Sequence, residues 1–548
     1  MQRDSIPNHY IPILLFADGL VSVCFAIFAH TLGMDPTPDW GRSRLFLFLL
    51  GMALIITALV LFKQRTSFTS AETTKTVVLF AHLWAFIFII YTWYITFGTF
   101  TEWRASTHYY SLLADAFGKG QLHVDVEPGA ALLAAADPYN SEGRPAFDDD
   151  IWDLSLYKGK LYLYWGPVPA VLMTPVQLVL KTRLADMYPV FFFLCGLLIF
   201  NSLIIVKIWR KFFTDIPAWN IIVSIFVVGL VLPIPWSLSI PDVYEAAIGA
   251  GQFFLIGGIY FIILAFENEV KKRYLFLAGL FWACSVGSRA INVIPILFLI
   301  ALTAFWFWKD QPKNWMTFAA ALLTPLAAGA LLLGAYNWAR FDSPLEFGLR
   351  YQITIYNLNR DMPLAFQADY LPYNIGAYIL QPFDFITSFP FIRPIGYSAM
   401  LQSRGITEPK LYAAGNVTGI LAFAPFLVLA ILPFLKKRAS SPFSAQPLTI
   451  YLLGGSFLIS FTSLLLYYYG QMRFLVDVIS QITLLAIFGY WLILRRSHYK
   501  KTMLHFSNFL ILVTLIASLL LAVTSESGRM PKLNSALMDK INTFFIEN

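Results

Sequence analysis

Leu161-Tyr-Leu-Tyr-Trp-Gly166-Pro167-Val-Pro169-Ala-Val-Leu-Met-Thr-Pro175-Val-Gln-Leu-Val-Leu180 is apolar enough to pass for a membrane span, and whether it crosses decides the topology. Its length meets the ~20 residues that a crossing helix needs. Against that stand Gly166, Pro167, Pro169 and Pro175, because interior prolines break or kink a helix. Charge settles the choice. Basic clusters lie at Lys63/Arg65/Lys75, Lys207/Arg210/Lys211, Lys271/Lys272/Arg273, Lys309/Lys313, Lys436/Lys437/Arg438 and Arg495/Arg496/Lys500/Lys501. The positive-inside rule puts them all on one side only if this stretch does not cross. It is expected to dip into the outer leaflet or to lie along it.

The rest of the chain agrees. Of 548 residues 58% are hydrophobic and 13% charged, where soluble domains carry about 25% charge. That excludes a soluble enzyme, a disordered chain and a coiled coil. The expected fold is an all-α polytopic membrane protein with about 13 transmembrane helices. They fall near 11–32, 44–62, 76–98, 188–209, 217–236, 244–266, 273–290, 292–308, 314–337, 413–434, 447–468, 476–494 and 505–523. The N-terminus is expected in the cytoplasm and the C-terminus outside. The chain then divides into helices 1–3 (1–98), a first outer connection (99–187), helices 4–9 (188–337), a second outer connection (338–412), and helices 10–13 with a short outer tail (413–548).

The net charge of +7 is explained by the same clusters without nucleic acid. Cys24, Cys195 and Cys284 all sit in apolar runs, which argues against a disulfide framework or a thiolate metal site. No small-residue cleavage site follows the first apolar run, so no cleavable signal is expected. No Walker A loop, Gly-x-Ser-x-Gly elbow, His-Glu-x-x-His or haem spacing occurs.

The candidate chemistry therefore lies on the outer face, where irregular backbone can line a wet cavity. Between Phe100 and Lys160 there are ten acidic and five basic residues. Tyr109 to Phe117 has the apolar spacing of an amphipathic helix. Glu102, His108, Asp115 and Asp125 around it could each supply a general base or could simply be solvated. Asp148, Asp149 and Asp150 read as a solvated run; a divalent metal could sit there, but no second ligand set is visible. Lys158, Lys160 and Tyr162 belong to a short hairpin, Tyr157 to Tyr164, that could grip a phosphate and stack on a sugar or isoprenoid, or could anchor at headgroup depth.

Ionisable groups at the ends of spans are costly and so informative. Asp242 and Glu245 open one span, and Arg289 sits at the tip of a helical hairpin without a partner nearby in sequence. Arg340, Glu346 and Arg350 follow the ninth span. Arg473 and Asp477 open the twelfth, where their i,i+4 spacing would let them pair with each other. All should converge on the outer face, where a lipid-linked anion could be held.

Seven pieces, in order, carry a resemblance. They are His108-Tyr-Tyr-Ser-Leu-Leu-Ala-Asp-Ala-Phe with Gly120; Asp137-Pro-Tyr139; Tyr157-Lys-Gly-Lys-Leu-Tyr-Leu-Tyr-Trp-Gly-Pro-Val-Pro; Val243-Tyr-Glu245; Gly287-Ser-Arg289; Tyr336-Asn through Arg340 to Gly348; and Arg473-Phe-Leu-Val-Asp477. Across about residues 75–495 the chain resembles the GT-C superfamily of integral-membrane glycosyltransferases, in the bacterial branch related to dolichyl-phosphate-mannose protein mannosyltransferases. The resemblance implies an inverting transferase that takes a sugar from a polyprenyl-phosphate carrier to a glycan, lipid or protein acceptor, at the outer face of a bacterial plasma membrane. It implies an acidic base in the first outer connection and cations that hold the donor phosphate. One departure stands out: where the family often shows Asp-Glu, this chain has Ser106-Thr107. The base then falls to Asp115 or Glu102 first, and to His108 or Asp125 after them. The competing readings are a flippase or transporter of a lipid-linked saccharide, an O-antigen ligase or polymerase, and, if no acid serves, an inactive relative or lipid-binding module.

Overall fold

The structure is a computed structural model that describes residues 11–30, 35, 37, 39–63, 71–104, 107–142, 144–145, 151–217, 219–267, 269–310, 313–435, 445–495, 501–525 and 528–547. Ser106 and the Asp148–Asp150 run lie outside the described residues.

Eight helices among the described residues are long and apolar enough to cross a membrane. The helices that place the site are α1 (Ile11–Phe28), α2 (Arg42–Lys63), α3 (Ala71–Ile95), α4 (Tyr109–Gly118), α5 (Val168–Leu180), α6 (Met187–Phe212), α7 (Trp219–Leu230), α8 (Val243–Ala265), α9 (Lys272–Ser288), α10 (Val293–Asp310) and α11 (Trp315–Phe341). After the second long connection come α12 (Ala445–Leu465), α13 (Val476–Arg495), α14 (Lys501–Thr524), α15 (Arg529–Leu533) and α16 (Ser535–Glu547). Within the most apolar 18 residues of each, 89% of the residues are buried in Val243–Ala265 and in Met472–Arg495, against 22% in Trp315–Phe341. The first two therefore form the centre of the bundle. The third turns an apolar surface outward, with Leu331 and Leu332 more than 70% exposed.

The stretch Leu161–Leu180 does not form one helix. Strand β1 (Ser155–Tyr157) pairs antiparallel with β2 (Lys160–Tyr162), and only Val168–Leu180 is helical. Thirteen residues at 1.5 Å each give about 20 Å, short of the ~30 Å hydrocarbon layer. One side of α5 packs through Ala170, Met173 and Gln177, while Val171, Leu172, Val176, Leu178 and Val179 are exposed. Its entry rests on α9 backbone to backbone: a Cβ on Gly166 would lie 2.1 Å from the Gly287 carbonyl oxygen. Gly166→Ala should therefore push α5 off α9 and lower stability by about 1–3 kcal/mol. Thermal unfolding in detergent checks this, with Gly129→Ala as an unaffected control, since nothing lies within 4 Å of a Cβ there.

Two stretches of span-like composition are built in pieces. The stretch 413–434 contains strands Ala413–Ala414 and Asn416–Val417, a turn of helix at Ile420–Phe423, a 3-10 segment at Pro425–Ile431 and a last turn at Leu432–Leu435. Pro425 and Pro433 remove backbone donors, and Gly419 lets the chain approach the Ile379 carbonyl carbon, which a Cβ would meet at 2.6 Å. The stretch 217–236 likewise stops at Leu230 and restarts at Ile234, across Pro233 and Pro235.

The ends of α3, α9 and α11, the starts of α6, α8, α10 and α13, and both long connections meet at one end of the bundle. The two connections are stitched together: the Asp153 N–H donates to the Ile353 carbonyl at 2.9 Å and the Ile353 N–H to Leu154 at 2.8 Å. The Ser155 hydroxyl donates to the Gly348 carbonyl at 2.8 Å. The C-terminal segment straps the same end. Arg529 holds Asp242, at the start of α8, through two bonds of 2.7 and 3.0 Å. Asn534 donates to the Phe97 carbonyl at 2.9 Å, and Phe545 stacks against Phe389 of the second connection.

Candidate functional site

Where the connections meet, a cavity of about 520 Å³ opens, within the usual size of a small-ligand site. One wall is aromatic: Trp152, Tyr164, Trp165, Tyr244, Tyr356, Tyr467, Tyr468 and Tyr469. Three arginines, Arg289, Arg350 and Arg473, and two acids, Asp153 and Glu346, face into it.

Asp153 comes from the first connection in a left-handed conformation, φ +62°, which aspartate tolerates better than most residues. The turn aims its carboxylate inward, and the residue is 6% exposed. Tyr244 donates its hydroxyl to Oδ2. Burial pushes the Asp153 carboxyl above the ordinary carboxylate range, opposed by the Tyr244 hydrogen bond, by the nearby polar side chains of Thr354 and Gln352 and by the charge of Arg473. A desolvated carboxylate of this kind is a stronger proton acceptor.

The arginines come from three directions. Arg473 sits just before α13, its guanidinium 4.2 Å over the Tyr244 ring and 3.9 Å from Glu245 Oε1. Arg289 ends α9 and reaches Asp477 on α13, with Nη2 at 2.7 Å and Nε at 2.8 Å from Oδ2. Arg350 pairs with Glu346 at 3.1 Å, and Glu346 also accepts the Gly348 N–H at 2.8 Å. The i,i+4 pair of Arg473 with Asp477 is not formed. The partners are exchanged across the bundle, and Arg289 has the acid that its local sequence lacks.

The other sequence candidates lie outside the cavity lining. Asp115, on α4, accepts from Arg183 at 2.6 Å and Gln177 at 2.8 Å. Glu102 is exposed and bonded to Arg104, and Asp125 to Lys119, whose hydrogen bond and charge hold the Asp125 carboxyl low. His108 is exposed just ahead of α4. Lys158 pairs with Asp342 at 2.6 Å, which also accepts from the Tyr157 hydroxyl at 2.7 Å. Lys160 is exposed, and Tyr162 packs edge-on against Phe341 at 5.3 Å. Arg340 is 3% exposed, clasped between the Tyr336 and Phe341 rings at 3.9 and 4.6 Å, and donates to the Leu163 carbonyl at 2.6 Å. It braces the hairpin from beneath. Asp242 is held by Arg529. Of the candidates, Arg289, Arg350, Arg473 and Glu346 line the cavity, with Glu245 and Asp477 behind the arginines.

Two acids at or beside the cavity carry no signal in the sequence. Asp153 has no periodic or motif signal; its only mark is a place beside Trp152 ahead of the hairpin. Asp186 precedes α6 and is buried. It accepts the Thr107 hydroxyl at 2.6 Å and the Tyr109 and Tyr110 N–H groups at 2.9 Å each, so it caps α4 from 76 residues away. Thr107 in turn accepts the Val243 N–H at 3.0 Å. Burial raises the Asp186 carboxyl to about 6, against the pull of these hydrogen bonds. A carboxylate from a distant segment thus reaches Thr107. Among the described residues no three His, Cys, Asp or Glu side chains are grouped to hold a metal ion.

The fold and site define a many-helix protein with spans apolar enough for a membrane and an aromatic, arginine-rich cavity at one end. No protein-family model and no curated protein sequence matches the chain. Solved structures of the Archaeoglobus fulgidus oligosaccharyltransferase are similar in part. The apo form is 13% identical with a TM-score of 0.46, over 81% of this chain and 56% of that one. The form tethered to an acceptor peptide containing the NVT sequon is 14% identical with a TM-score of 0.46, over 81% and 55%. The complex of that organism's AglB with an inhibitory peptide and a dolichol-phosphate is 11% identical with a TM-score of 0.41, over 80% and 55%. The chain spans little more than half the length of these structures.

Proposed function

We propose that the chain is a GT-C-type glycosyltransferase that moves a sugar from a polyprenyl-phosphate donor to an acceptor hydroxyl with inversion. The observation that carries this reading is the placement of a buried carboxylate, Asp153, in one aromatic cavity with Arg473 and Arg289. The topology that goes with it keeps the thirteen-span plan with the N-terminus cytoplasmic and the cavity at the outer face of a bacterial plasma membrane. Under that plan the pieces at 413–434 stay within the bundle.

In this mechanism Asp153 takes the proton of the acceptor hydroxyl as its oxygen attacks the anomeric carbon. The bond from that carbon to the donor phosphate oxygen breaks on the opposite side. The leaving phosphate takes the electron pair, and preplaced guanidinium groups stabilise its charge. The tyrosine wall offers ring faces on which a sugar can stack. Asp153 takes first place as the base because, of the two acids that line the cavity, it is the buried one. Asp115, Glu102, His108 and Asp125 follow it.

The test is transfer in proteoliposomes from a panel of radiolabelled polyprenyl-phosphate sugars to a crude membrane acceptor. Wild type is compared with Asp153→Asn, Asp115→Asn, Glu102→Gln and Arg473→Ala. Arg473→Ala should raise the donor KM and lower kcat/KM by roughly 30- to 1000-fold, the range of a lost charge-assisted contact of about 2–4 kcal/mol. No transfer from any donor, with undiminished lipid binding, would overturn the proposal in favour of a flippase or a binding module.

A further inference from the structure

Tyr244 is the second residue of α8, and three contacts fix its ring. The Arg473 guanidinium lies 4.2 Å above it, Trp165 meets it edge-on at 5.1 Å, and its hydroxyl donates to Asp153 Oδ2. The start of α8 is itself anchored twice, by Arg529 on Asp242 and by Thr107 on the Val243 N–H. Tyr244 therefore touches both the Arg473 guanidinium and the buried Asp153 carboxylate. Those two groups come from segments some 320 residues apart, and the α8 residue between them bridges the distance.

We infer that Tyr244 is a positioning residue that joins the two halves of the site, orienting the Asp153 carboxylate through its hydroxyl and seating Arg473 on its ring. This rests on reading Asp153 as the base. The two parts of the side chain do separate work. The hydroxyl, a donor, favours the ionised carboxylate. The ring face attracts the guanidinium whether or not the hydroxyl is present. Tyr244→Phe removes the first and keeps the second; Tyr244→Leu removes both. The other ionisable groups around the pair are Arg473 before α13, Glu245 on α8, Arg289 at the end of α9, Tyr467 after α12, Tyr164 after β2, Tyr109 on α4, and Glu346 and Arg350 from the second connection. All of them remain in both variants.

The experiment is an infrared pH titration of the purified full-length protein in detergent, run beside the pH dependence of kcat/KM. The protonated-carboxyl band of Asp153 is assigned by its loss in Asp153→Asn and its displacement in Asp153→Glu. In Tyr244→Phe the titration midpoint of that band should rise by about one pH unit, the worth of one charge-assisted hydrogen bond. The acidic limb of kcat/KM should rise with it, while donor KM stays within about two-fold. Tyr244→Leu should move the midpoint equally and raise donor KM about ten-fold or more, as expected for a lost cation–π contact of ~1–2 kcal/mol. A purely structural role would lower the rate at every pH without moving the midpoint, and an unmoved midpoint in Tyr244→Phe overturns the inference. The base assignment fails separately: Asp153→Asn would then keep transfer while the infrared midpoint still moved in Tyr244→Phe.

Discussion

Asp153→Asn should reduce transfer by about 10²–10⁴-fold while leaving the protein folded and the donor bound. That is the range usual for removing a positioned general base. The exchange keeps the side chain's size and its ability to accept from the Tyr244 hydroxyl, so the packing of the cavity is retained. It removes a buried negative charge, so stability in detergent should hold or rise slightly. The direction with pH is fixed by the burial that raises this carboxyl. Only the ionised form accepts a proton, so wild-type kcat/KM should climb through a midpoint above the ordinary carboxylate range and level off at higher pH. A profile flat down to the ordinary carboxylate range, or transfer that survives in Asp153→Asn and disappears in Asp115→Asn, would hand the role to α4.

The largest stability effect belongs to Arg289. Its guanidinium makes a two-point contact with Asp477, whose side chain is 3% exposed. Breaking a buried pair by removing one partner strands the other charge, at a cost of about 3–5 kcal/mol. Arg289→Met should therefore lower the unfolding free energy by that amount, measured by denaturant titration in mixed micelles. The double variant Arg289→Met with Asp477→Asn should recover most of the loss, because the stranded charge is then gone. A loss under 1 kcal/mol in the single variant, or no recovery in the double, would show that the pair is not coupled as the geometry indicates. The pair also fixes the end of α9 against the start of α13, so donor KM should rise in the single variant as well.

Sequence and structure agree where the physics is local. An apolar run long enough to span must satisfy its own backbone hydrogen bonds as a helix, so α6, α8, α11, α13 and α14 were legible. The prolines of Leu161–Leu180 argued against one through-going helix, and only Val168–Leu180 is helical. That 413–434 is built in pieces was not legible, because hydropathy averages over residues and does not register what Pro425, Pro433 and Gly419 do to backbone continuity. The site was legible only in part. Arg289, Arg350, Arg473 and Glu346 stood out as charges at the ends of apolar runs, and the structure gathers them. Asp153 did not stand out, because what marks it is burial by the second connection and a bond from α8, and no spacing encodes either. The exchange of partners between Arg473 and Asp477 shows the same limit: an i,i+4 rule knows one helix, whereas Arg289 arrives from another 188 residues away.

The strap of Arg529 on Asp242 has a consequence for how the protein is made. The two residues are 287 positions apart in the chain. At about 5–20 residues per second of synthesis, Asp242 leaves the ribosome roughly 15–60 s before Arg529. Throughout that interval the nascent chain holds α8 without its clasp. A chain that ends between the close of α14 at Thr524 and Arg529 would carry its spans but lack the clasp on α8.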